Sequence, residues 1–340
     1  MSTSVTLGDV ARAAEVSVAT ASRALNGSST RQVRPDLKQR VVAAAERLDY
    51  SPNTHAQAIA RGTTSVVGLV VQDIADPYFS AIAAGVITEA AQHDLMVSLG
   101  TTHRDPEREL DYIRMLRSQR ARALVVVGTR VSNGSINERL EKELRLYARA
   151  GGRVAFVSQP RLPHDTVQVQ NRAASRDLAR KLYDLGHRRF GVLGASTQLL
   201  TSTERIDGFR AACKQLDAPV PREHIFRAAF TRDGGYEAMN ELLDAGVNVS
   251  CVFATNDVMA VGAMAAMRDR GMDLPKDMAV AGFDDIETLR DITPALTTVR
   301  LPLMEMGVQA LAMALEDTNG DARVHKIHGD VILRESTPAV

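Results

Sequence analysis

Residues 5–27 read VTLGDVARAAEVSVATASRALNG, two short helical patterns separated by the turn at residues 15–17. Thr6 and Asp9 have the spacing of a helix cap and the third residue of the helix that it begins. Ser17 stands where it can cap the second helix. This arrangement predicts a helix-turn-helix, the motif that places its second helix in the major groove of DNA.

The two segments that follow extend this helical region. The second helix continues to about Leu25 and is followed by Asn26-Gly27, a pair typical of helix C-termini. A third helix is predicted from Pro35, a residue favoured in a first helical turn, with Leu37, Val41, Ala45 and Leu48 on its apolar face. A surface hairpin with no role in DNA binding has the same spacing, so the pattern by itself leaves both interpretations open.

Residues 51–62, SPNTHAQAIARG, predict a short linker helix. Ser51 can cap it, Pro52 suits its first turn and Gly62 ends it. The helix has almost no apolar face, and the hydrogen bonds of two turns are too few to offset the free-energy cost of helix nucleation. It is either a plain interdomain linker or a helix that folds only against a partner.

From residue 65 onward, short apolar segments alternate with longer amphipathic ones. We predict strands at 65–72, 96–101, 123–129, 154–158, 190–195, 249–255 and 278–283. We predict helices at 77–93, 105–117, 136–150, 172–185, 203–216, 234–245 and 257–271. Strands that are apolar on both faces and alternate with helices favour parallel sheets. About seven such units exceed one open sheet, so we expect two lobes that divide near residues 160–165, with later crossings near 293–300 and before 331–335.

Composition excludes several classes of protein. The chain is 340 residues long, 45% hydrophobic and 24% charged, with a net charge of zero, which is typical of a globular protein. Eight Lys and Arg stand against five Asp and Glu through Gly62, so the first part is basic and the rest is acidic by the same margin. Two cysteines in apolar settings, Cys213 and Cys251, favour a reducing compartment over a disulfide framework. The polar start lacks the pattern of a signal peptide, and no apolar segment approaches the length of a membrane span.

The chain closely resembles the LacI/GalR (lactose-repressor) family of bacterial transcription regulators, and the match continues through most of its length. The matching motifs are TLxDVA from Thr6, VSVATxSRxLNG from Val16 and YSPN from Tyr50. The resemblance implies a small all-α helix-turn-helix head and an α/β two-lobed body like a periplasmic binding protein, with two doubly wound parallel sheets. The expected limits are 1–50 for the head, 51–62 for a hinge helix and 63–340 for the body. Within the body we expect an N-lobe of about 63–162 and 294–324 and a C-lobe of about 163–293 and 325–340.

The resemblance also implies which residues contact DNA. Val18, Ala19 and Arg23 fall on base-reading positions, and Arg23 can grip the O6 and N7 atoms of guanine. Residues expected to contact phosphates are Ser17, Thr20, Ser22 and Asn26. Ile59 has the position of an apolar wedge that paired hinge helices insert into the minor groove. Two departures from the family are Gln57, where many relatives carry Arg, and Glu15, where the turn usually carries Gly.

Ligands of open parallel sheets bind beyond the carboxyl ends of the strands. By this rule or by the family's ligand positions, we expect ligand contacts from Asp73, Tyr78, Phe79, Thr201, Arg205, Phe230, Asn256 and Asp284. An Arg, an Asn, carboxylates and aromatic rings suit a hydroxylated or heterocyclic small molecule. Alternatives remain: Asp73 and Asp257 as helix caps, Arg205 as the partner of a structural carboxylate, and Phe79 and Phe230 as plain core. Ser158 and Gln170-Asn171 depart from the Asp and Asp-Asn that relatives usually carry.

Together these features predict a cytoplasmic DNA-binding regulator, most often a repressor in this family, that is not an enzyme and needs no cofactor or metal. We expect a homodimer, joined through the N-lobe, on a palindromic double-stranded DNA operator. A sugar-like or nucleoside-like effector in the cleft changes the angle between the lobes and thereby the pairing of the hinge helices. The alternative is a solute-binding protein with the same body and no regulatory role on DNA.

Overall fold

The computed structural model describes residues 5–26, 33–50, 64–132, 134–316 and 321–340. The chain divides into two compact units, Met1–Thr64 and Ser65–Val340, which we call the head and the body. The predicted hinge helix at 51–62, with Gln57 and Ile59, lies outside the described residues.

The head is a three-helix unit around a core of small apolar side chains. Its helices are α1 (Leu7–Ala13), α2 (Val18–Asn26) and α3 (Pro35–Arg47). Thr6 and Asp9 form the predicted capping box at the start of α1, and the Ser17 hydroxyl accepts from the Thr20 backbone N–H at 3.1 Å. The buried core consists of Val10, Ala11, Ala14, Ala21, Ala24, Val41, Ala44 and Ala45. Small side chains at these contacts let the three helices approach closely.

The N-lobe of the body is built on a six-stranded parallel sheet with the strand order β11-β5-β4-β3-β1-β2. Its strands are β1 (Val66–Val71), β2 (Met96–Thr101), β3 (Ala123–Val127), β4 (Arg153–Val157), β5 (Asp165–Val169) and β11 (Val324–Ile327). Its helices are α4 (Pro77–Gln92), α5 (Pro106–Ser118), α6 (Gly134–Arg149) and α11 (Leu303–Leu315). One hydrophobic cluster lies under α4 and α11 and another under α5 and α6, so the sheet is covered on both faces.

The C-lobe repeats this design on a four-stranded parallel sheet with the order β7-β6-β8-β9. Its strands are β6 (Phe190–Gly194), β7 (Ile225–Arg227), β8 (Cys251–Ala254) and β9 (Ala279–Ala281). Its helices are α7 (Asn171–Asp184), α8 (Leu200–Gln215), α9 (Arg232–Asp244) and α10 (Asp257–Asp269). All seven predicted strands and all seven predicted helices of the body are present, with ends that differ by at most three residues. The predicted doubly wound fold is therefore confirmed.

Two short antiparallel strands, β10 (Thr298–Arg300) and β12 (Asp330–Ile332), carry the chain between the lobes. After β10 the chain forms α11 against α4, adds β11 to the N-lobe sheet and returns through β12 to the C-lobe, where Ser336 bonds Val280. Neither lobe is therefore continuous in sequence.

The predicted limits of the lobes need a correction. The division near residues 160–165 is wrong, because β5 still pairs with β4 in the N-lobe sheet, and α7 is the first element of the C-lobe. The predicted return to the C-lobe at residue 325 is also too early, because β11 pairs with β5 through Ile327.

Candidate functional site

The residues predicted to contact DNA lie on the outer side of α2. Ser17, Val18 and Ala19 are exposed, with 53% of Val18 accessible, whereas Ala21 and Ala24 of the same helix face the core of the head. Thr20, Ser22 and Arg23 are half-buried. Arg23 donates from Nε to the Ala19 carbonyl at 3.0 Å. Asn26 is the last residue of α2, and its side chain, like Ile59, lies outside the described residues.

The turn between α1 and α2 explains how Glu15 is tolerated in place of glycine. Glu15 adopts a φ of 52°, the left-handed conformation that glycine prefers. Arg40 of α3 donates to the Ala14 carbonyl at 2.7 Å and to the Glu15 carboxylate at 3.2 Å. The ion pair offsets part of the negative charge that Glu15 brings to this surface.

A cleft lies at the carboxyl ends of both body sheets, with about 550 Å³ of space that is partly open to solvent. Of the eight predicted ligand residues, seven line it: Tyr78, Phe79, Thr201, Arg205, Phe230, Asn256 and Asp284. Asp73 does not. Its carboxylate instead accepts from Arg104 at 3.2 Å and from the Ala75 backbone N–H at 3.1 Å.

Arg205 is the centre of the polar network in this cleft. Only 2% of it is exposed, and its guanidinium lies 3.7 Å from the centroid of the Phe283 ring. Nε donates to Asn171 Oδ1 at 2.9 Å, Nη1 to the Thr255 carbonyl at 2.8 Å and Nη2 to Asp284 Oδ1 at 2.8 Å. Arg205 does pair with a buried carboxylate, and that carboxylate also lines the cleft. The bonds fix the plane of the guanidinium before any ligand arrives.

Asp284 is the buried acid of this pair. It follows β9 and adopts a φ of 123°. Burial raises the pKa of Asp284 to about 6, and the charge and hydrogen bond of Arg205 act in the opposite direction. An acceptor that is held by one arginine and still faces the cleft can bind a hydroxyl or an amine.

Each of the two helices is capped by a different residue of the same loop from the one predicted. Asn256, not Asp257, caps α10 by accepting from the Met259 backbone N–H at 3.0 Å. Asp76, not Asp73, caps α4 by accepting from the Tyr78 backbone N–H at 3.0 Å. The predicted cap roles of Asp73 and Asp257 are therefore wrong.

Asp257 is fully buried and links α10 to the segments on either side of the lobe crossing. Oδ2 accepts from the Ile286 backbone N–H at 3.0 Å, and Oδ1 accepts from the Thr298 hydroxyl at 2.6 Å. Burial raises the pKa of Asp257 to about 8.

Sequence reasoning missed several polar residues of the cleft, namely Gln72, Asp76, Arg104 and Gln159. Arg104 follows β2 and lies 3.2 Å from Asp73 and 3.6 Å from Asp76. Burial raises the pKa of Asp76, and the charge of Arg104 opposes that rise. Gln159 follows β4. The strand-end rule, applied to β2 and β4, would have found both Arg104 and Gln159.

Gln159 joins the two lobes along one side of the cleft. Its Oε1 accepts from the Arg130 backbone N–H at 2.9 Å in the N-lobe, and its Nε2 donates to Thr201 Oγ1 at 2.9 Å in the C-lobe. Beside it, the Thr201 backbone N–H donates to Thr129 Oγ1 at 3.0 Å. Val131 and Leu199 form an antiparallel bridge next to these bonds.

The charges of the cleft are balanced. Arg104 and Arg205 face Asp76 and Asp284, amides surround these pairs, and three aromatic side chains, Tyr78, Phe79 and Phe230, supply apolar faces. This mixture suits an uncharged molecule that has both hydroxyl groups and a ring. Among the residues that the structure describes, no group of His, Cys, Asp and Glu is arranged to hold a metal ion, and no helix is long and apolar enough to cross a membrane.

Two family models match the chain. Residues 6–53 match bacterial regulatory proteins of the lacI family, and residues 179–337 match a periplasmic binding protein-like domain. The transcriptional regulator GalS of Salmonella typhimurium is 34% identical over 325 residues, covering 95% of this chain and 93% of GalS. The transcriptional repressor CytR of Escherichia coli K12 is 30% identical over 342 residues, covering 99% of this chain and 98% of CytR.

Solved structures agree in fold. The lac repressor dimer bound to operator and the anti-inducer ONPF superposes with a TM-score of 0.84 at 22% identity, covering 99% of this chain and 100% of that one. The transcriptional regulator CelR in complex with cellobiose gives 0.69 at 27% identity, covering 98% and 99%. Because the relatives that cover both head and body are named transcriptional regulators, we conclude that the chain belongs to the LacI family of bacterial transcription regulators.

Proposed function

We propose that this regulator binds a palindromic operator as a homodimer and represses transcription, the usual role in its family. A sugar-like or nucleoside-like effector in the cleft controls its affinity for DNA. The observation that carries the proposal is a cleft whose polar groups come from both lobes, in a chain that begins with a LacI-family head. Since the operator is part of the bacterial chromosome, the protein acts in the cytoplasm.

In this proposal α2 reads the operator. Arg23 binds guanine O6 and N7, and Val18 and Ala19 make apolar contacts such as those to a thymine methyl. Ser17, Thr20, Ser22 and Asn26 bind phosphates, which positions the helix without specifying sequence. Ile59 enters the minor groove as a wedge.

The N-lobe supplies the dimer face. One head makes too few base contacts for tight specific binding, whereas a two-fold dimer doubles them on a palindrome. Support comes from large apolar side chains that are exposed on α4, β2 and α5: Ile87, Met96, Leu99 and Met115. Of these, Met96 is 73% accessible and lies on β2, which is the last strand at one end of the six-stranded sheet.

The effector acts through the angle between the lobes. A ligand that bonds Arg205 and Asp284 in the C-lobe and Tyr78 in the N-lobe favours one angle over another. Its effect on DNA binding can be no larger than the ratio of its affinities for the two states. A change in this angle moves the dimer face and alters the pairing of the hinge helices. Titration of the operator complex with effector measures the sign of the effect, release or tighter binding.

Selection of operators from random duplex DNA by the full chain tests the DNA arm of the proposal. We expect a palindromic consensus with a deformable central step, because a wedge kinks such steps at lower cost. Arg23→Ala should lose discrimination at one position of each half-site, worth about 1–3 kcal/mol. Arg12→Ala, on the neighbouring helix, is the matched control and should leave the consensus unchanged. A folded protein that enriches no sequence, even with metabolite pools added, would refute the DNA arm.

Fractionated sugars and nucleosides, added to the operator complex, test the effector arm. We expect one chemical class to change operator affinity, and Asp284→Asn to abolish or greatly weaken the response while operator binding itself persists. The asparagine keeps an oxygen for Arg205 Nη2, so the fold is preserved while the charge is lost. A response in Asp284→Asn equal to that of the parent would place the effector elsewhere.

A further inference from the structure

The body begins at the end of the N-lobe sheet opposite the cleft, where the amino ends of the parallel strands lie. We call this end of the sheet the edge. β1 starts at Val66, and β3 and β4 start beside it, because Val67 pairs with Ala123 and Ala123 pairs with Arg153. Arg122, immediately before β3, donates its backbone N–H to the Val66 carbonyl at 2.8 Å. Arg122 therefore lies next to the point where the chain passes from residues 51–63 into the body.

This edge is basic at its centre and acidic at its ends. The loops that precede β1, β3 and β4, at residues 64–65, 119–122 and 150–152, contain Arg120 and Arg122 and no carboxylate, and Arg149 ends α6 immediately before the last of these loops. The acidic residues of the edge lie towards its two ends: Asp94 precedes β2, whereas Asp165 begins β5, Asp321 precedes β11 and Glu316 follows α11. Asp165 is already paired with Arg323 at 2.6 Å.

Two of the central arginines have no partner inside the described part of the chain. Arg122 and Arg149 are exposed, and neither guanidinium makes a hydrogen bond or an ion pair with any described residue. Arg149 is in the last turn of α6, where a cation complements the helix dipole, so part of its charge has a structural explanation. Arg122 has no such explanation, because α5 ends four residues earlier at Ser118.

We propose that Arg122 and Arg149, which we call the edge patch, bind DNA phosphates that flank the operator sequence. The inference rests on the proposed function, since it extends the DNA interface from the head to the body. The body carries more acidic than basic residues, so a carboxylate-free centre at the point where the linker enters is a local exception. Phosphates are the anions that a chain tethered at this edge to a DNA-binding head meets at high local concentration.

Contacts of this kind change affinity without changing sequence preference. Each phosphate that a protein neutralises releases counterions and adds about 0.9 to the slope of log K against log salt. The edge patch therefore predicts a salt dependence steeper than the head alone produces. It also predicts that a duplex trimmed to the consensus binds less tightly than one with flanks.

The test compares the full chain with the double variant Arg122→Gln/Arg149→Gln on the selected operator over a series of salt concentrations. We expect the slope to become shallower by about 2 per protomer, the selected consensus to stay the same and the advantage of the flanked duplex to disappear. The control Arg176→Gln/Arg222→Gln removes the same charge from exposed sites of the C-lobe and should keep the parental slope. The charge-conserving variant Arg122→Lys/Arg149→Lys should keep most of it as well.

A patch variant with the same slope as the control, on an operator that the parent binds, overturns the inference and leaves the proposed function standing. A parent chain that selects no operator overturns both. Thermal unfolding of each variant separates lost contacts from lost structure. If Arg122→Gln/Arg149→Gln is unfolded, the lysine variant combined with trimmed and flanked duplexes decides the question, and equal binding of the two duplexes overturns the inference.

Discussion

The segment from Phe283 to Ile286 brings two adjacent aspartates to different tasks. Asp284 turns into the cleft towards Arg205, whereas Asp285 accepts from Arg300 Nε and from Arg334 Nη2, each at 2.6 Å. Both residues have positive φ, 123° and 56°, which is uncommon for side chains larger than glycine. Three ion pairs of these two aspartates offset the conformational strain of their positive φ angles. The cleft and the lobe crossing are thus joined through one peptide bond.

Because the carboxyl of Asp257 is buried and its pKa is raised, we expect the stability of the body to depend on pH. Its pKa of about 8 in the folded state exceeds the ordinary value of 3.8, so between these pH values the folded state holds a proton that the unfolded state has lost. The free energy of unfolding should therefore fall as pH rises from about 4 to 8, and stay level above that range. Asp257→Asn keeps an acceptor for the Ile286 N–H and offers a donor to Thr298. We expect it to remove this slope and to exceed the parent in stability at pH 9 by at least about 1 kcal/mol.

Urea unfolding at several pH values measures the effect. The exposed Asp273→Asn is the control and should preserve the parental slope. Equal pH dependence in Asp257→Asn and the parent would show that Asp257 is ionised throughout.

At the scale of single residues, the sequence predicts well which loops line the cleft. It predicts less well which of two nearby residues in a loop faces the cleft. Seven of eight predicted ligand residues line the cleft, because strand ends and family motifs identify the loops. The failure at Asp73 has a local cause. In the turn before α4 it is Asp76 that lines the cleft, whereas Asp73 accepts from the Ala75 backbone N–H and from Arg104.

At the scale of elements, glycines set the distance between paired helices. A Cβ on Gly85 of α4 would lie 1.9 Å from the Met304 carbonyl oxygen of α11, and one on Gly307 of α11 would lie 2.1 Å from the Ile82 carbonyl oxygen. Gly235 and Gly262 stand in the same reciprocal relation between α9 and α10. The helices therefore touch backbone to backbone at these points.

Gly85→Ala should separate α4 from α11. Because the obstructing atoms belong to a backbone, they cannot rotate away, and we expect a loss of about 1–3 kcal/mol in the free energy of unfolding. Gly134→Ala is the control, since a Cβ there meets no atom within 4 Å. Denaturant unfolding of both variants checks the prediction, and a Gly85→Ala protein as stable as the parent would contradict it.

Apart from α11, the elements that the sequence does not predict are short strands or strands near the end of a sheet. β7, β10 and β12 have three residues each, too few for a period to appear. β11 is mostly exposed at the end of its sheet and lacks an apolar pattern. β5 and β11 join the N-lobe only through pairing that no local pattern reports, and this is why the predicted lobe limits were wrong.

At the scale of the whole molecule, two units meet different demands. The head needs only its own small core, whereas the body holds the cleft and all its polar partners. Communication between the two is thermodynamic and therefore reciprocal: an effector that weakens operator binding is itself bound more weakly when operator is present, by the same factor.

Removal of residues 1–64 should leave a body that binds effector with the affinity of the full chain in the absence of DNA. Operator DNA should shift that affinity in the full chain and have no influence on the truncated one. Calorimetric titration with and without operator measures both. An effector affinity that drops more than about tenfold on truncation, roughly 1.4 kcal/mol, would mean that the head contributes to the cleft.

The return of the chain through β11 and β12 gives the order of synthesis a consequence. The described helices of the head end at Arg47, whereas the N-lobe sheet receives β11 only at residues 324–327 and the C-lobe receives Ser336 later still. A nonsense mutation before β11 would thus yield a DNA-binding head joined to an incomplete body. Such a product would not respond to the effector, because both lobes that form the cleft would be incomplete.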